Sequence, residues 1–83
     1  MSIRTTILSE IEKIAEEQNA QLAPLTDDLR LMDSGLDSLG FAILAARLED
    51  VLDIDPFTEA NEAHYPTTLG DFISLYETAA ARV

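Results

Sequence analysis

The sequence predicts an all-α domain of four helices, on three observations. Apolar residues recur at helical spacing in well-separated stretches. No stretch alternates apolar and polar residues convincingly enough for a strand. The chain has 83 residues and a hydrophobic content of 47%, enough for one small domain, taken as residues 1–83. A domain of this size buries only a modest fraction of its surface, so its core must be compact.

Ile3, Ile7, Ile11 and Ile14 recur about one turn apart, with Glu10, Glu12, Lys13, Glu16 and Glu17 between them. They predict an amphipathic first helix ending near Asn19. Residues 20–37 form a long connection holding Pro24, Gly35 and the turn-prone Thr26-Asp27-Asp28. Leu22, Leu25, Leu29, Leu31 and Met32 lie along it and are expected to pack onto the core. So long a loop in a compact domain tends to be functional.

A second helix is expected from Ser38 to Leu52. Its apolar residues exceed one buried stripe, so part of that surface should face solvent, rimmed by acids, as a docking face does. Leu44, Leu48 and Leu52 share one spacing and are assigned to the core. Leu39, Ala42, Ile43 and Ala46 fall on an adjacent face and are assigned to docking, with Glu49 and Asp50 at its far end. Asp53-Ile54-Asp55-Pro56 ends the helix, since proline disfavours helix in the residue before it. Residues 58–63 are expected to form a short third helix. Pro66 sets the entry of the last helix, which Thr68 caps with Asp71 in a capping-box-like pair. Leu69, Phe72, Ile73, Tyr76 and Ala80 share its inner face.

Sixteen acids against five bases give a net charge of −11. That charge disfavours nucleic acid and anionic membrane surfaces as partners. Basic protein surfaces are favoured, their encounter accelerated by the long-range field. From Asp33 to Glu62 the chain holds eight acids and one base, Arg47. There is no cysteine, so disulfides and thiolate metal sites are ruled out, and any thiol chemistry must come from an attached group. No apolar run approaches membrane-spanning length, and no signal-peptide core is evident. A cytoplasmic monomer is expected.

Catalysis would need a base, and the single histidine, His64, is far in sequence from Ser38. Nothing marks a nucleophile elbow or an oxyanion hole, so a hydrolase built on Ser38 and His64 is the weaker reading. Asp27, Asp33 and Asp53 do not begin a calcium-loop pattern, and no metal site is expected. Ser38 fits another role. It follows Asp37 where a loop gives way to a helix, beside unpaired backbone N–H groups and the positive end of the helix dipole. A phosphodiester on its oxygen would be tolerated there. The bland alternative is that Asp37 or Ser38 simply caps the helix.

Gly35-Leu36-Asp37-Ser38-Leu39 at the start of the second helix resembles the modification site of acyl carrier proteins. Asp27-Asp28-Leu29 is similar to that family's acidic loop entry, and Thr67-Thr68-Leu69-Gly70-Asp71-Phe72 to the start of its last helix, so the resemblance covers essentially the whole chain. It implies a right-handed four-helix bundle with a long first loop and no catalytic residues of its own. It implies 4′-phosphopantetheine, taken from coenzyme A, on Ser38, with Asp37 as a handle for the phosphopantetheinyl transferase. The further partners implied are an acyl ligase, synthase or acyltransferase with a basic docking surface. Carriers of general fatty-acid synthesis usually have acids just after Ser-Leu and one turn on, where this chain has Gly40 and Ile43. The greasier face favours a carrier dedicated to a specialised lipid or secondary-metabolite pathway. An aminoacyl or peptidyl carrier, a housekeeping fatty-acid carrier and an unmodified binding module remain the alternatives.

Overall fold

The computed structural model describes residues 2–54 and 66–81. Helix α1 spans Ile3–Glu17, a 3₁₀ turn spans Leu31–Asp33, α2 spans Ser38–Leu52 and α3 spans Leu69–Ala81. Among the described residues there is no strand beyond one isolated antiparallel bridge between Arg30 and Thr68. The architecture is therefore all-helical. The short helix expected over residues 58–63 lies outside the described residues.

Ser2 starts α1, its Oγ accepting the Thr5 N–H at 3.1 Å. Ile7, Ile11 and Ile14 turn one stripe inward and are almost wholly buried. The helix stops in a left-handed turn at Asn19, φ 55°. There the Ala20 N–H reaches the Ala15 carbonyl and the Asn19 N–H that of Glu16, which satisfies carbonyls the helix end would otherwise orphan.

Helix α1 packs against both α2 and α3. The shared core joins its isoleucines to Leu44 and Leu48 of α2 and to Leu69, Phe72, Ile73 and Tyr76 of α3. Each such side chain contributes about 1.5–3 kcal/mol of transfer free energy. Leu52, expected beside Leu44 and Leu48, is only half-buried, because it is the last residue of α2 and the core thins there. The helix ends in a left-handed Asp53, φ 56°, with the Asp53 N–H bonded to the Glu49 carbonyl at 2.8 Å; the expected stop at Pro56 lies outside the described residues. At α3 the Thr68–Asp71 box closes both ways. Thr68 Oγ1 accepts the Asp71 N–H at 3.1 Å, and the Thr68 N–H points back to Asp71 Oδ2 at 3.4 Å.

The long connection is clasped from two sides. Ala23 N–H bonds the Ser34 carbonyl, closing the loop on itself. Leu31 N–H bonds the Thr67 carbonyl, Leu69 N–H that of Leu29, and Gly70 N–H that of Asp27, fastening the loop to the entry of α3. Leu22, Leu25 and Leu31 pack against the core as expected. Met32 does not: it is 93% exposed. Side chains of successive residues in a 3₁₀ turn diverge by a third of a rotation. With Leu31 turned inward, its neighbour is carried out to solvent.

Candidate functional site

The start of α2 is built by its own cap. Asp37 Oδ1 accepts the Gly40 N–H at 2.8 Å, and the Asp37 carbonyl accepts the Phe41 N–H at 3.1 Å. Ser38 is the first helical residue and is exposed. The N–H groups of the first turn have no carbonyl one turn earlier to bind. With the aligned peptide dipoles they make the surroundings of the Ser38 oxygen favourable to negative charge. Among the described residues no side chain hydrogen-bonds the Ser38 hydroxyl, which is exposed.

What fixes this serine lies just before it. Ser34 is buried; its Oγ donates to the Leu31 carbonyl at 2.7 Å and accepts the Leu36 N–H at 3.3 Å. Gly35 has φ +108°, and a Cβ there would fall 2.1 Å from the Gln21 carbonyl oxygen. Only glycine suits that backbone and that approach. Leu36 is then driven into the core, 5% exposed. Sequence reasoning passed over Ser34 and used Gly35 as a loop signal and as part of a motif, not as the turn that places Ser38. A glycine two residues before a capping aspartate was the available signal.

Gly40 takes a different place from the one expected. General fatty-acid carriers usually have an acid at this position, but here Gly40 is buried and cannot belong to a docking face. A Cβ there would lie 3.2 Å from Gln18 Oε1 and from Leu36 Cβ, and 3.4 Å from Asp37 Oδ1. An added Cβ would press on Gln18 and Leu36 and meet the capping carboxylate at ordinary contact distance.

On the opposite face of α2, Leu39 is 63% exposed, and Ala42 and Ala46 are exposed with it. Their spacing sets them across the helix from Gly40, Leu44 and Leu48. Glu49 and Asp50 are exposed beyond them. Ile43 stands at the edge of this strip, half-buried and packed against the core. The base of α2, Arg47, is turned toward α1, where its guanidinium grips the Glu17 carboxylate at 2.6 and 2.9 Å. The hydrogen bond from Arg47 holds the Glu17 carboxyl below its ordinary pKa. Arg4 does the same to Asp27, through contacts of 2.7 and 3.1 Å.

Beside Ser38 opens an apolar cleft of about 280 Å³, lined by Leu31, Met32, Leu36, Asp37, Ser38 and Phe41. His64 lies outside the described residues. Among the described residues no cluster of three or more His, Cys, Asp or Glu side chains could hold a metal ion, and no helix is long and apolar enough to cross a membrane.

A family model described as a phosphopantetheine attachment site matches residues 5–67, more than half of the chain. Comparison with curated proteins gave no match. Comparison with solved structures gave none either.

Proposed function

As the chain belongs to the phosphopantetheine attachment-site family, we propose that it is an acyl carrier protein of a dedicated pathway, with Ser38 as its attachment residue. Members of the family carry 4′-phosphopantetheine covalently, and the domain is a carrier module, not a catalytic one. When bound, the cofactor supplies a terminal thiol that holds an acyl group as a thioester. The start of α2 fits the group. Ser38 offers an exposed hydroxyl, the first turn offers N–H groups to an anionic diester, and an open cleft adjoins it. The Asp37 carboxylate, half used as a cap, keeps a second oxygen for the transferase to recognise.

The observation that carries this reading is the exposed Ser38 hydroxyl directly after a carboxylate cap. Carrier modules work with a phosphopantetheinyl transferase and with the enzymes that use the tethered cargo; tethering raises the cargo's local concentration at each. Leu39, Ala42, Ile43 and Ala46 are the proposed docking strip, with Glu49 and Asp50 meeting basic residues of an acyl ligase, synthase or acyltransferase. The dedicated pathway is supported by how apolar this strip is, with Leu39, Ala42 and Ala46 exposed along it. A cytoplasmic monomer remains the expected form. The test is intact mass after incubation with coenzyme A and a broad-specificity transferase. Wild type gains one phosphopantetheine and Ser38→Ala gains none; modification of the alanine variant would refute the assignment.

A further inference from the structure

We propose that the apolar cleft beside Ser38 seats the gem-dimethyl portion of the attached arm. The inference rests on Ser38 being the attachment residue. Starting from the serine, the arm runs through phosphate, a methylene, a carbon bearing two methyl groups and a hydroxyl-bearing carbon, then two amides and the thiol. The cleft begins at Ser38, so with the phosphate at the helix start the proximal part of the arm is the part that lies next to it. Its walls are Leu31, Met32, Leu36 and Phe41. Against those four side chains an amide would lose water and find no partner, the Asp37 carboxylate being the one acceptor in the lining, whereas the two methyl groups gain by leaving water.

The walls differ in rigidity, which suits a seat that must fill and empty. Leu36 is 5% exposed and fixed by the Ser34 hydroxyl. Phe41 is half-buried, its ring 6.3 Å from that of Phe72 in α3. Met32 is 93% exposed, and its unbranched thioether is free to fold over an occupant. This wall explains an otherwise unspent apolar side chain on the 3₁₀ turn. By helical spacing Phe41 lies off the Leu39–Ala42–Ala46 strip. An arm seated against it rests beside the docking strip and leaves the strip uncovered.

The test compares apo and holo protein by NMR, with labelled methionine methyl, leucine methyl and phenylalanine ring groups, and attachment verified by intact mass. Holo protein is expected to show cross-peaks from the arm's two methyl groups to the Met32 methyl and the Phe41 ring, with shifts at Leu31 and Leu36. Met32→Gln is expected to keep its fold and its attachment and to weaken the arm–Phe41 cross-peaks by roughly half. Complete attachment without those cross-peaks overturns the seat and leaves the function standing. Cross-peaks unchanged in Met32→Gln overturn the assignment of that wall. Failure of Ser38 to gain mass overturns both the seat and the attachment reading.

Discussion

Arg47 ties α2 to the end of α1 by closing both of its guanidinium arms on Glu17, at 2.6 and 2.9 Å. The contact removes the base of α2 from its outer surface, where Glu49 and Asp50 are exposed and, among the described residues, meet no base. It also couples the fold to pH. Arg47 holds the Glu17 pKa below its ordinary value, and Arg4 does so for Asp27. A depressed folded pKa contributes stability that is full above the unfolded pKa and is lost as pH falls through the folded one. Both pairs are substantially exposed, so the effect is small. We expect melting temperature to fall modestly as pH drops below the ordinary carboxylate range. In Arg47→Met combined with Arg4→Met, that acid limb should be flatter. A double variant with an unchanged acid limb would show that neither pair contributes.

Asp37 caps α2 and is the proposed handle for the transferase, and two substitutions separate the two roles. Asparagine keeps an oxygen for the Gly40 N–H, now 2.8 Å from Asp37 Oδ1, but removes the charge. Alanine removes both. Asp37→Ala is expected to cost about 1 kcal/mol by urea unfolding, and Asp37→Asn only a few tenths. Both should slow transfer from coenzyme A by roughly tenfold, because the transferase loses its acidic handle. Wild-type transfer rates in Asp37→Asn would reduce Asp37 to a cap alone.

Gly35 is the backbone hinge on which Ser38 depends. With φ at +108° and the Gln21 carbonyl oxygen 2.1 Å from where a Cβ would stand, Gly35→Ala forces the loop away from its clasp. We expect a loss of at least about 2 kcal/mol in urea unfolding. A variant as stable as wild type would mean the loop re-closes without that turn.

The helices were legible because isoleucine and leucine spacing is a local signal: Ile7, Ile11 and Ile14, and Leu44 and Leu48, needed only the helical period. The Thr68–Asp71 box was legible for the same reason, its partners being three residues apart. The loop was not. Its order comes from backbone bonds between residues far apart in sequence, such as Leu31 to Thr67 and Gly70 to Asp27, which carry no side-chain signature. So Met32 was assigned to the core on hydrophobicity alone, though a 3₁₀ turn carries it out to solvent. The burial of Gly40 was not legible either, because its closeness to Gln18 is a tertiary fact.

The apolar strip of α2 is best tested at Ala42, for a reason the packing supplies. Ile43 is half-buried against the core, so Ile43→Glu puts a charge partly into it and should cost about 1–2 kcal/mol. That loss would blur any effect on docking. Ala42 is exposed, touches no acid one turn away in sequence, and lies near the start of the helix, where a carboxylate is favourable. Ala42→Glu should therefore change stability by less than about 0.5 kcal/mol. If the strip is where a dedicated enzyme docks, the new charge meets an apolar surface and weakens that partner by roughly tenfold. The same charge should strengthen binding to enzymes of general fatty-acid synthesis, whose basic groove gains an ion pair. Kd values of holo wild type and Ala42→Glu against both enzyme classes decide the matter. Equal affinities with both would place docking elsewhere than Leu39, Ala42 and Ala46.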